Sequence, residues 1–555
     1  MRRFAQLFSE LDATTKTSVK EAALERYFRT AEPQAAAWAL SCLLGRRAQR
    51  PVSGPTLRAW AAAEANLPSW LVDQCVDNVG DHGEALALLL PPPSAPADLS
   101  LVEVIENRLL VLRDLDEAAR RSVVVRTWQQ LGPRERFLFH KLLGGTFRVG
   151  VAQSLLTRAL ARIAQVDPAT MAHRLAGEWS PSVETWERLL APADSPHACD
   201  PGQPYPFQLA YPLDGPPADL GPVADWQCEW KWDGIRAQFL CRRGEVLLWS
   251  RGEELLNASF PDVVAVAQGL PDGTVLDGEL LAWRAGQPLP FAQLQRRLGR
   301  KRPDARLLRM IPVTFLAYDL LELDGVDVRG LDQAERRLRL EELFVRHGRH
   351  GLLLAPLLQI GSWEEAHASY AEAEARQVEG LMLKRRAATY GVGRVRGAWW
   401  KWKRAPRTVD AVLIGAQLGR GKRAGLYTDY TFGVWHGGEL APIAKAYTGL
   451  SDAEIQQVDR FIKQNTVGQF GPVRMVRPKL VFELAFEGIQ RSPRHKSGLA
   501  LRFPRMARWR QDKTVDQADV LATLQALLPL EPMDQPLEEP LGGLFANVTS
   551  PESSS

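Results

Sequence analysis

The segment Glu229-Trp230-Lys231-Trp232-Asp233-Gly234-Ile235-Arg236 puts a lysine where an apolar strand gives way to an Asp-Gly turn, with an arginine five residues further on. A lysine amine becomes a nucleophile when desolvation or neighbouring cations lower its pKa and leave it neutral. A solvated lysine beside a hairpin has the same local spelling, because Asp-Gly is a common turn dipeptide. The rest of the chain decides between these readings.

Five further segments bear on it. Glu279 closes the strand-like Leu276-Asp277-Gly278-Glu279. Phe315-Leu316-Ala317-Tyr318-Asp319 sets an aromatic beside an acid on another apolar strand. Glu379-Gly380-Leu381-Met382-Leu383-Lys384 holds an acid and a base five apart, on opposite faces of a strictly alternating strand. Trp399-Trp400-Lys401-Trp402-Lys403 puts two lysines on one face. Leu501-Arg502-Phe503-Pro504-Arg505 precedes Arg510-Gln511-Asp512-Lys513. Taken singly, Glu279 flanks a turn, Tyr318 is core, and the Trp/Lys run is an edge strand guarded by lysines. Their order and intervals together point to one site.

Charge supports this by its distribution rather than its total, since 69 basic and 65 acidic residues leave only +4. Lys384 to Val409 carries nine basic residues and no acid, and Gly488 to Lys513 carries eight against one. A solvated face usually mixes signs. Such segments suit polyphosphate or a nucleic-acid backbone, with salt-sensitive binding. Trp399, Trp400 and Trp402 read as strand core rather than base-stacking residues.

The elements that position these residues change in texture along the 555-residue chain. Residues 1 to about 200 are Ala- and Leu-rich, with helical spacing at Lys20–Arg29, Ser122–Leu131, Glu135–Leu143 and Ala152–Ala164, broken at Pro91–Pro96. From Ala191 to Pro222 nine prolines predict an extended connector. Strands then appear at Trp226–Trp232, Val246–Ser250, Thr274–Trp283 and Val313–Leu321, with a helix starting at Ser362 through a capping box closed by Glu365. Beyond Arg404, strands over 409–420, 426–435, 439–448 and 479–487 with a helix at Asp452–Lys463 suit a small OB-type barrel. The fold class expected is therefore multidomain: an all-α domain (1–200), an α+β domain (201–404) and an OB-fold β-barrel (405–530). A polar, proline-rich tail (531–555) reads as disordered.

In this order the motifs KWDGIR, DGE, FLAYDL, EGLMLK, WKWK and RQDK resemble those of the covalent nucleotidyltransferases, most closely the ATP-dependent DNA ligases. LRFPR before RQDK is similar to the DNA ligase version. Gly144 to Gln153, around Arg148, resembles a segment of the helical DNA-binding domain in three-domain ligases of the eukaryotic and archaeal type. The resemblance implies a DNA ligase carrying AMP on Lys231. It implies Glu229 as acceptor for the adenine amino group, Tyr318 stacked on the base with Phe315 the weaker candidate, Glu279 and Arg251 on the ribose, and Arg236 on phosphate. Lys401 and Lys403 would neutralise the α-phosphate, and Arg396, with Arg394 as the alternative, would supply the arginine before WKWK. Arg510 and Lys513 would reach the pyrophosphate when the barrel closes, pivoting at Lys403–Asp410. Glu379, with Glu279, would organise Mg2+ or Mn2+. Arg148, Arg502 and Phe503 would contact DNA, Phe503 as a wedge in the minor groove or else as barrel core.

The implied substrates are ATP and nicked double-stranded DNA, handled by a single chain encircling the duplex; the pathway served, whether replication, repair or recombination, is not legible. The first 15 residues lack the apolar core of about 7–15 residues that a signal peptide needs, and no run of about 18 apolar residues appears. Five cysteines (Cys42, Cys75, Cys199, Cys228 and Cys241) without a CxxC pair predict free thiols and a cytoplasmic, nucleoid-associated protein. They also set aside the NAD-dependent ligases, which carry a zinc-binding cysteine cluster. The rivals are an RNA ligase or other covalent nucleotidyltransferase, and a non-catalytic DNA-binding protein on a ligase scaffold.

Overall fold

The computed structural model describes residues 1–46, 51–144, 147, 149–177, 179–192, 202–300, 302–419, 425–470, 473–493 and 495–528. Two compact units divide them: residues 24–33 with 152–404, and residues 1–23 with 34–151 and 405–528.

The N-terminal region is helical: α1 (Arg2–Ala13), α2 (Thr17–Thr30), α3 (Pro33–Leu43), α4 (Gly54–Ala65), α5 (Ser69–Val79), α6 (His82–Leu89), α7 (Glu117–Gln130), α8 (Pro133–Leu143), α9 (Gln153–Ala164), α10 (Pro168–Leu175) and α11 (Val183–Leu190). Helical spacing sets which face is buried: in α1 it is Phe4, Leu7, Phe8 and Leu11. Side-chain caps start several of them. Asp81 accepts from the amides of Gly83 and Glu84, Asp116 from Ala119, and Asp167 from Ala169 and Thr170. Phe147 is clamped by Phe4 and Phe8, at ring distances of 5.7 and 5.2 Å. In the other unit, α9 to α11 pack with the C-terminal half of α2, Phe28 stacking on Trp186 at 5.4 Å.

Two sheets make the central body. Sheet 1 runs β6-β5-β4-β2-β3, from β2 (Ile235–Arg242), β3 (Glu245–Ser250), β4 (Thr274–Arg284), β5 (Val313–Leu323) and β6 (Leu352–Leu354). Sheet 2 runs β7-β1-β8-β9, from β1 (Trp226–Lys231), β7 (Leu357–Leu358), β8 (Gly380–Arg385) and β9 (Trp399–Lys403), and ends on the short strand Tyr211–Pro212. One face of sheet 1 (Ala237, Phe239, Leu276, Leu280, Phe315) is a core of its own. Its other face (Leu240, Val275, Leu281, Leu316, Tyr318) packs with Trp399 of sheet 2. The far face of sheet 2 (Trp226, Cys228, Trp230, Leu381, Leu383, Trp402) packs against α12 (Trp363–Glu372). The period of two thus sends Trp400 and Trp402 into core, as the sequence suggests, and leaves the alternate residues facing the cleft.

Two expectations need correction. The stretch after residue 201 is not a mere connector: Gln208–Leu209 pairs with Gly393–Arg394 and Tyr211–Pro212 with Trp400–Lys401, both parallel. Pairing of this kind satisfies the backbone groups that proline leaves available. The cap of α12 is only half a box. Ser362 accepts from the Glu365 amide, but the Glu365 carboxylate accepts from Gly361 rather than from the cap residue.

The C-terminal unit is a curled seven-stranded sheet. Its long strand β10 (Arg407–Leu418) pairs with β11 (Tyr427–His436), which pairs with β12 (Glu439–Ala446). The helix Asp452–Asn465 follows, then the hairpin β13 (Thr466–Phe470) and β14 (Val473–Val476), which the sequence does not announce. β15 (Val481–Phe486) pairs with β10 and with β18 (Arg505–Trp509), and between them rises a hairpin of β16 (Gly488–Arg491) and β17 (Leu499–Arg502). Register shifts along β10 after Leu413 and Gln417 bend the sheet so that it curls. Arg148, Cys199 and the tail from Glu531 lie outside the described residues.

Candidate active site

Register assembles the site. Lys231, Gly380 and Lys403 lie in one row across β1, β8 and β9; Glu229, Met382 and Lys401 lie in the next; Gln227, Lys384 and Trp399 in the third. All nine share the face of sheet 2 turned away from the tryptophan core. Lys231 Nζ lies 2.5 Å from Glu379 Oε2, and Lys403 Nζ lies 3.4 Å from the same oxygen.

Glu379 precedes β8 by one residue, and strict alternation puts it on the other face from Lys384. Gly380 removes that obstacle. Its φ of +138° belongs to glycine, and a Cβ there would meet the Trp402 carbonyl at 2.1 Å. The turn lets the carboxylate swing beside Lys231 and Lys403. Glu379 and Lys384 thus serve the same face.

Lys384, which the sequence shows only as part of its motif, is buried with Glu229 at 2.8 Å. Its ammonium sits 4.2 Å over the Tyr318 ring and 4.7 Å over that of Trp399. Gln227 donates to the second Glu229 oxygen at 2.5 Å. The proposed base-reading acid and stacking aromatic are therefore joined by one cation. Phe315 lies in the core on the opposite face of sheet 1.

Sheet 1 supplies the opposing wall. Glu279 stands directly across from Arg236 on β2. The Asp-Gly turn lies close against it, for a Cβ on Gly234 would come within 2.7 Å of the Glu279 side chain and 2.3 Å of the Leu280 carbonyl. Arg236 is engaged on every nitrogen: Nε and Nη2 bind Asp277 at 3.1 and 2.6 Å, and Nη1 binds the Gln208 carbonyl at 2.5 Å. Asp277, fully buried, also accepts from the Tyr318 and Tyr390 hydroxyls at 3.2 and 2.7 Å. The expected phosphate contact by Arg236 meets a guanidinium already committed to building the wall. Sequence reading missed Asp277 and Tyr390. The signal for Asp277 was its place two residues before Glu279, where alternation sends both to the cleft.

Electrostatics mark the same place. Burial pushes the Glu279 carboxyl up to about 8, against the pull of Lys231 and Arg236. Burial would also raise Glu379, but Lys231 and then Lys403 hold it below the ordinary range. Burial and the nearby Lys403, Lys231 and Arg394 depress the Lys401 ammonium. Arg394 is among the cations whose field reaches Lys401. Arg394 and Arg396 are both exposed. Arg251 is exposed after β3, its amide bonded to the Arg236 carbonyl at 2.9 Å.

In the barrel, Arg510 and Lys513 both bind Asp410 on β10. Arg502 lies 5.3 Å over the Phe503 ring. Phe503 is 63% exposed with φ of +52°, so it is not barrel core. Among the described residues no group of three or more His, Cys, Asp or Glu could hold a metal, and no helix is long and apolar enough to cross a membrane.

Comparison with known proteins agrees along the length of the chain. The ATP dependent DNA ligase domain profile matches residues 208–403, the DNA ligase N terminus residues 1–161, and the ATP dependent DNA ligase C terminal region residues 423–513. A probable DNA ligase of Koribacter versatilis (strain Ellin345) is 32% identical over 94% of this chain and 95% of its own. A probable DNA ligase of Anaeromyxobacter sp. (strain K) is 35% identical over 83% and 91%. Among solved structures, "Pmar-Lig_PreS3" shares the fold with a TM-score of 0.61 at 14% identity, covering 91% of this chain and 99% of its own. With helical, adenylation and curled β units carrying the ordered motifs, the chain belongs to the ATP-dependent DNA ligase family.

Proposed function

We propose that Lys231 carries AMP between ATP and the 5′-phosphate of a DNA nick, and that a single chain does this with its helical, adenylation and OB-fold domains around the duplex. The observation that carries the assignment is the row Lys231–Gly380–Lys403 with Glu379 bound to both lysines.

Lys231 Nζ attacks the α-phosphorus; the P–N bond forms as the bond to pyrophosphate breaks. Nζ must first leave Glu379, and the attacking form is the free amine, with Lys401 and Lys403 on the same face of the sheet. The same two lysines neutralise charge on the α-phosphate. AMP then passes to the 5′-phosphate, and the 3′-hydroxyl displaces it as the strand is joined. Glu229 and Tyr318 bound the base, tied through Lys384, while Glu279 and Arg251 take the ribose. Arg236 acts through Asp277 by fixing the wall, and Arg396, with Arg394 as the alternative, takes the phosphate role before WKWK.

Glu379 with Glu279 would hold Mg2+, or Mn2+. Two carboxylates and phosphate oxygens are an ordinary donor set for such a hard ion, which would supply charge neutralisation at the phosphates. Phe503 and Arg502 contact the DNA near the nick, with Arg148 gripping phosphate. The protein acts in the cytoplasm on the nucleoid. Incubation with α-labelled ATP tests the central step: label stays on the denatured wild type, and Lys231→Ala takes none.

A further inference from the structure

Asp410 lies three residues into β10, the strand that opens the barrel after Arg404, and is buried. Both its oxygens accept from Arg510 Nη1, at 3.2 and 2.9 Å, and Lys513 Nζ lies 2.5 Å from Oδ2. Its backbone cannot follow the cations: its amide donates to Asp519 Oδ2 at 2.8 Å, and its carbonyl accepts from the Asp519 amide at 2.9 Å. The other edge of Arg510 binds Asp512, Nε at 2.9 Å and Nη2 at 2.7 Å.

The two acids differ in surroundings. The Asp410 side chain is 9% exposed and that of Asp512 62%. A solvent-exposed ion pair is screened and weak, so a phosphate oxygen can replace Asp512 on the outer edge of Arg510. The shielded Asp410 keeps its hold. Without it, Lys513 would lose this partner, and Arg510 would be left to the exposed Asp512 and to Glu483, 3.8 Å from Nη1.

We propose that Asp410 is a positioning residue that holds Arg510 and Lys513 as one preassembled pair of cations for the pyrophosphate end of ATP, while Asp512 occupies the phosphate's place until it arrives. This rests on the adenylation reading above and on the pyrophosphate contact that the family resemblance implies for Arg510 and Lys513. Preassembly lowers the reorganisation needed as charge develops on the leaving group, so its loss falls on the rate of AMP transfer more than on ATP binding.

The test uses the full chain as wild type, Asp410→Asn, Asp410→Glu and Arg510→Ala. Two rates are measured: single-turnover transfer of labelled AMP to Lys231 at saturating ATP, and sealing of a nick already adenylated on its 5′-phosphate, without ATP. Asp410→Asn is expected to slow transfer roughly ten- to a hundredfold, with the half-saturating ATP concentration changed less than about threefold. Sealing of the adenylated nick should stay within about threefold. Asp410→Glu should recover part of the transfer rate. Equal slowing of both reactions, or transfer as fast as wild type in Asp410→Asn, overturns the proposal. Should Asp410→Asn not fold, Asp410→Glu decides by the same contrast. If Arg510→Ala leaves transfer untouched, the assignment of Arg510 itself fails, an outcome separate from failure of Asp410 alone.

Discussion

Glu279 is held against its ordinary ionisation. Its carboxyl titrates near 8 in the fold against 4.5 when free, chiefly because the cleft desolvates it. The unfolded chain therefore loses this proton first, and stability is given up as pH rises from about 4.5 to about 8. Glu279→Gln removes that penalty. Its gain in thermal stability over wild type should be absent near pH 4.5, grow through that interval and reach roughly 5 kcal/mol by pH 8.5, at about 1.4 kcal/mol per pKa unit. Melting curves across that range check it; a gain that does not vary with pH would contradict the burial argument. AMP transfer should fall in the same variant. Lys231, Glu229, Lys401 and Lys403 are legible from sequence because a strand's period of two puts such neighbours on one face. Asp277 and Tyr390 are not, since their bond joins positions 113 apart and no local pattern predicts which acid meets which hydroxyl.

Elements place these residues, and glycines decide how closely elements approach. Gly380 couples register to chemistry, because only its φ lets Glu379 share a face with Lys384. Gly380→Ala puts a methyl group onto the Trp402 carbonyl. It is expected to cost about 2–4 kcal/mol in stability and at least roughly tenfold in AMP transfer. A variant that melts and reacts like wild type would show that the turn does not position Glu379. Most long strands were legible as apolar runs between Gly, Pro and Asp, but Ile235–Arg242, directly after the Asp-Gly turn, was not. The hairpins Thr466–Val476 and Gly488–Arg502 were not, since their residues are mostly polar or exposed and lack the alternation that burial imposes. Pairing of Gln208–Leu209 with Gly393–Arg394 is a long-range contact inside a proline-rich stretch, where local propensity argues for a linker.

At the scale of the whole chain, AMP transfer and the grip on DNA are measured separately. Phe503 is exposed and held at φ +52° in the link between β17 and β18. Phe503→Ala should leave AMP transfer to Lys231 within about twofold of wild type and weaken binding of nicked duplex roughly tenfold. Equal binding by both proteins would return Phe503 to a role without DNA. The order of helical, α+β and β-rich regions was legible because each has its own composition and period. How residues 152–192 cluster with the central body was not, since helical spacing says which face is buried but not against what.

The most direct measurement is retention of label on the denatured full-length protein after incubation with α-labelled ATP and Mg2+. Wild type should carry about one AMP per chain, and Lys231→Ala should carry none while melting like wild type. Label that persists in Lys231→Ala, or wild type that takes none, would contradict covalent transfer through this lysine.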